Sequence, residues 1–162
     1  ETLVSSALIA GDQQARWANL FDQATWTNDW SDSLIGDETS AEYNATTYPL
    51  EVTNRGAITE RWALRFTSTS GGNVIGESVG QIGTFSINSE TAPNNPNTGV
   101  PYFRIPAGGW GSGWSAGNVL RFNTISANAP IWLARTVLQG PAEGNDFQFR
   151  LQVRGNVNAD PA

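Results

Sequence analysis

Histidine, cysteine, methionine and lysine are all missing from the 162 residues, and each gap excludes chemistry. Without His there is no Ser-His-Asp or Cys-His relay, and no imidazole to hold a metal. Without Cys there is no disulfide framework, thiolate nucleophile, zinc ribbon or iron–sulfur site. Without Lys there is no Schiff base, and a phosphate-binding P-loop lacks its required residue. What survives is carboxylate acid–base work, oxygen-ligated cations, Arg–anion contacts and aromatic surfaces. The expectation is a non-enzymatic chain with no cofactor and no catalytic residue. Long apolar runs are also missing. Nothing approaches the ~20 residues of a membrane-spanning helix, and residues 2–10 (LVSSALIAG) have no basic flank to suggest an export signal. With no Met anywhere, Glu1 is expected to follow a cleavage or to mark an internal segment of a longer, soluble protein.

Charge is scarce, at 15% of residues, and unevenly spread. The net charge is −6, made of −8 over residues 1–54 and +2 over the remainder. An acidic chain without a basic cluster is a poor nucleic-acid ligand, since phosphate contacts dominate that affinity. Either the asymmetry draws copies together head to tail or it is an accident of composition.

Hydrophobic residues, at 39%, are enough for a core, and the length suits one domain. Their spacing is mostly two. Phe147 to Arg154 and Arg61 to Thr67 alternate apolar with polar residues, as half-buried strands do. Residues 43–53, 73–77, 79–87, 101–105, 118–125 and 130–138 are further strand candidates, rich in Thr, Val, Ile and aromatics. Ser70-Gly71-Gly72-Asn73 reads as a tight turn, and residues 88–99 and 106–117 as long Gly-, Pro- and Asn-rich loops. Over residues 12–21, Trp17, Leu20 and Phe21 fall at helical spacing, so a short helix competes there with extended structure. The fold class is therefore all-β, an antiparallel β-sandwich with jelly-roll and immunoglobulin-like arrangements both open, and at most one short N-terminal helix. An acidic segment over 1–42 is expected to pack on or link to a core over 43–155, with a tail at 156–162; together they form one domain.

Three constellations could carry function. Trp110-Gly111-Ser112-Gly113-Trp114 offers two indoles on a flexible loop, joined as candidates by Trp26 and Trp30. These rings could cap the core, bury against a neighbouring subunit, or stack on sugar rings of a host-surface glycan. Asp29, Asp32, Asp37 and Glu38 could gather around Ca²⁺, although their spacing matches no EF-hand loop, or supply a carboxylate pair for glycosidic cleavage. A solvated acidic loop is the plainer reading, and no metal ligand set is assigned. Third, Arg61, Arg65, Arg104, Arg121, Arg135, Arg150 and Arg154 lie on candidate strands, where pairs with Glu51, Glu60 or Glu77 are expected.

The segments 59–66 (TERWALRF), 76–83 (GESVGQIG), 91–105 (TAPNNPNTGVPYFRI), 109–122 (GWGSGWSAGNVLRF) and 130–140 (PIWLARTVLQG) resemble a run found in virion proteins of tailed bacteriophages and related prophages. The resemblance covers roughly residues 45–155; the acidic N-terminal third departs from it. It implies a β-rich domain of a larger tail or baseplate protein, made in the bacterial host cytoplasm and carried in the virion. It contributes no active-site residue. The expected partners are other virion proteins and further copies of the chain, with host glycan as the alternative, and neither nucleic acid nor membrane insertion.

Overall fold

Trp62, Leu64 and Phe66 can share one face only if the backbone is pleated, with Arg61 and Arg65 on the other. The computed structural model, which describes residues 14–24, 27–31, 33, 35 and 41–127, places them in strand β2, Glu60–Phe66. The chain order is β1 (Arg16–Ala24), β2, β3 (Gly71–Gly76), β4 (Gly80–Ser86), a single 3₁₀ turn (Ala107–Gly109) and β5 (Val119–Ile125). These strands form one antiparallel sheet in the order β1-β5-β2-β3-β4. The chain is thus all-β, as alternation required. Candidate strands 130–138 and 147–154 lie outside the described residues, as does the tail.

One face of the sheet carries the core. Trp62, Leu64, Phe66, Val74, Phe85, Leu120 and Phe122 are buried there, each large apolar side chain contributing about 1.5–3 kcal/mol on burial. The cover comes from loops: Tyr43, Leu50, Tyr102, Phe103, Ile105 and Trp114 close over the sheet. Among the described residues no second sheet forms, because segments 43–53 and 101–105 contribute isolated bridges instead of strands. Glu51 pairs with Arg104, Thr91 with Ile105, Asn94 with Pro101 and Tyr43 with Trp110. Pro49, Pro101 and Pro106 lack the N–H that a continuous ladder would need.

One open local reading is resolved and another changes. Residues 16–24 are strand, not helix. Asn19 adopts φ 54°, a left-handed value that Asn tolerates, and the register with β5 shifts between Ala18 and Phe21. That bulge lets Trp17 and Leu20, three residues apart, both pack on the core; an unbroken strand would send them to opposite faces. The Ser70–Asn73 turn moves upstream, with Thr67 and Ser68 N–H bonding to Gly71 C=O and Gly71 and Gly72 inside β3.

Several polar groups taken into this core find partners close by. Thr124 accepts the Trp62 indole N–H at 2.8 Å and donates to Ile58 C=O at 2.6 Å. The buried Glu60 carboxylate accepts the backbone N–H of Arg61 (3.0 Å) and Ser78 (3.1 Å) and the Ser78 hydroxyl, fastening the β3–β4 turn to β2. Asn95 donates to Gly56 C=O at 3.0 Å, anchoring the 88–99 loop.

Candidate functional site

The Trp-rich loop is built from close approaches. Asn44 N–H donates to Gly109 C=O at 2.8 Å and Gly111 N–H to Glu42 C=O at 2.9 Å, so the loop lies along residues 42–44. A Cβ on Gly109 would sit 2.4 Å from the Tyr43 ring, and Gly113 has φ 98°. Both positions therefore demand glycine. The Tyr43 hydroxyl stands 3.0 Å from the carbonyls of both Tyr48 and Pro106, and burial pushes its pKa up to about 12.

This loop aims its indoles inward. Trp114 is 3% exposed and stacks on Phe66 with centroids 4.5 Å apart and planes 9° apart. Trp110, half-buried, lies over Phe85 at 5.7 Å and meets Tyr43, Phe66 and Trp114 edge-on. Both indole nitrogens are buried without a hydrogen-bond partner, so neither presents a donor to a sugar. Of the three readings of these rings, the geometry is that of a core cap. Trp30 lies on the opposite face of the sheet, where the Arg61 guanidinium sits 5.4 Å from its ring. Trp26 lies outside the described residues. Trp30 is therefore not gathered with Trp110 and Trp114 into one platform.

Burial of Tyr43 gives a pH signature. Its folded pKa lies above the ordinary value of 10, so its stabilising contribution is whole below pH 10 and is lost as pH rises through about 12. The full contribution is on the order of 2–3 kcal/mol. Tyr43→Phe should abolish this part of the alkaline loss, while lowering stability at neutral pH by about 1 kcal/mol through the carbonyls left without their donor. Denaturant midpoints of the two proteins across pH 8–12 check it.

On the sheet's other face, residues 27–31 lie against β2 and β5. Arg65 Nε donates to Asp29 Oδ1 at 2.6 Å, with Nη2 closing a second contact, and Arg121 Nη1 donates to Ser31 C=O at 2.8 Å. Asp29 is thus committed to an arginine; Asp32, Asp37 and Glu38 lie outside the described residues. Among the described residues no group of three or more acidic side chains could hold a metal. Of the strand arginines expected to pair with Glu51, Glu60 or Glu77, Arg61 reaches Glu77 at 2.9 Å. Arg104 bonds Glu51 only through the backbone and sends its guanidinium to Glu90 at 2.5 Å. Glu60 turns its carboxylate to Ser78 and the Arg61 backbone instead of an arginine side chain. Exposed pairs of this kind are worth roughly 0.2–1 kcal/mol.

Sequence reasoning missed the edge of the sheet. Among the described residues β4 ends the sheet order, and beside it runs a groove of about 330 Å³ lined by Ile82–Ser86 and Ser89–Pro93. Ile87 N–H bonds to Ser70 C=O at 3.0 Å, and the register pairs Phe85 with Gly72 and Gly83 with Val74. Bonding direction alternates along an antiparallel ladder, so Phe85 and Gly83 bond inward to β3. Thr84 and Ser86 turn their N–H and C=O to the open side. The signal available in the sequence was charge: from Val79 to Ser89 there is none. Compared with known proteins, the chain matches no family model, no curated protein and no solved structure.

Proposed function

We propose that the chain is a non-enzymatic assembly domain of a bacteriophage tail or baseplate protein, working through protein–protein contact. The observation that carries the contact reading is the β4 edge: uncharged, without a further strand among the described residues, and flanked by a groove of about 330 Å³. Natural proteins usually guard such edges with charge, Pro or short strands, because unpaired N–H and C=O groups recruit another strand. β4 keeps only a bulge at Ile82, where the register slips between Val74 and Ile75. The other end of the sheet among the described residues, β1, opens on the charged Arg16 and has two register shifts. Composition supports the non-enzymatic part, and four carboxylates, those of Asp29, Glu60, Glu77 and Glu90, are engaged with neighbours. Placement in the virion rests on the sequence resemblance. A glycan-binding role has less support, because the Trp110 and Trp114 faces are spent on Phe66, Phe85 and each other.

Immunogold labelling of particles, purified from the host that encodes the chain, tests this reading. Antibody against residues 1–162 should decorate assembled virions at the tail; unlabelled virions, with the chain recovered only as free protein, would refute it.

A further inference from the structure

The assembly reading leaves the partner of β4 open, and the inference that follows rests on it. We infer that β4 pairs with β4 of a second copy of this chain, antiparallel, about a two-fold axis at Phe85, so that two five-stranded sheets become one.

Three observations support a second copy. First, Thr84 and Ser86 both turn their backbone groups outward, two positions apart and on either side of Phe85. Placing the axis at Phe85 sets Thr84 of each chain opposite Ser86 of the other. Each such pair exchanges both N–H···O=C bonds, four in all. The contact competing for a Ser86 carbonyl is one 3.4 Å approach from Ser89 N–H, at the long limit of a hydrogen bond. Thr opposite Ser is also a favourable cross-strand pair through the hydroxyls.

Charge is the second observation. An isologous contact sets a patch against itself, so any net charge on it would face its own sign. In a chain of net charge −6, a patch free of charge is one that can face its own copy without repulsion. Residues 79–89 carry none, and Glu90, at the groove's end, is already bound to Arg104. A strand from a different protein would impose no such neutrality. Third, among the described residues β4 pairs with β3 alone, and the Thr84 side chain on its edge is exposed.

Sedimentation velocity of the full chain across a concentration series tests the pairing together with its register. The unmodified chain should pass from monomer to dimer and no further. In the doubly substituted Thr84→Lys, Ser86→Lys chain, each cross-strand pair sets lysine against lysine, and the dissociation constant should rise at least tenfold. In the Thr84→Lys, Ser86→Glu chain, each pair sets the introduced lysine of one copy against the introduced glutamate of the other, and dimerisation should return. Thermal melts that match the unmodified chain at low concentration show that each variant is folded. A monomer at every concentration, a dimer indifferent to the paired lysines, or growth beyond dimer would each overturn the self-pairing. Virions that still label at the tail in that case would leave the assembly reading intact and assign the groove to a strand from another virion protein.

Discussion

Trp114→Ala is expected to cost about 3–5 kcal/mol of stability, the range for removing a large buried aromatic. That is a large share of the roughly 5–15 kcal/mol by which domains of this kind are folded. The reason is geometric: Trp114 is 3% exposed and lies flat on Phe66, with Trp110 standing edge-on to both. Deleting the indole opens a cavity under the loop and removes the stacking partner of a β2 core residue. At a few degrees per kcal/mol for a domain of this size, the melting temperature should fall by roughly 10 °C or more. Trp114→Phe, which keeps a ring against Phe66, should lose much less. A surface platform would behave otherwise, its truncation changing stability by no more than about 0.5 kcal/mol. Calorimetry of the three proteins separates the outcomes.

A comparable loss is expected from the smallest change available, Gly72→Ala. A Cβ there would stand 1.8 Å from the Arg65 carbonyl oxygen and 2.7 Å from the Phe66 Cα. These are backbone atoms of β2, so no rotamer change relieves the clash and the two strands must part. Parting them disturbs the pairing that holds Leu64 against Val74, and destabilisation of about 3 kcal/mol or more, up to failure to fold, is expected. Gly83→Ala supplies the contrast. Its Cβ meets nothing within 4 Å and its φ is not left-handed, so the change should be neutral or stabilising by up to about 1 kcal/mol. Urea midpoints of the two variants should therefore move in opposite directions, or one should move alone.

How far the sequence could be read depended on whether a signal was local. β2 and β5 were legible because Trp62, Leu64 and Phe66, and Leu120, Phe122 and Thr124, alternate without interruption. β1 was ambiguous because one left-handed Asn resets the phase, so that a bulged strand mimics helical spacing. Residues 43–53 and 101–105 have strand composition, yet a ladder also needs a donor at alternate positions, and the prolines remove them. Gly71-Gly72 looked like a turn because glycine marks both turns and close strand approach; only the Arg65 carbonyl tells them apart. The Trp110 and Trp114 pair was visible as a feature, but residue type alone does not say which way an indole points. The Asp29–Arg65 contact spans 36 residues and left no local trace. The β4 edge was hidden for another reason: its signature is a lack of charge, which means something only once the strand is known to end the sheet.

Amide hydrogen exchange over residues 80–93, followed as the chain is concentrated, bears most directly on whether this protein works by edge contact. The amides of Gly83 and Phe85, bonded to β3, should be protected at every concentration. Those of Thr84 and Ser86 should exchange fast when dilute and slow together as copies associate. The account would be contradicted if Thr84 and Ser86 stayed fast throughout while residues 110–114 gained protection on addition of host surface polysaccharide.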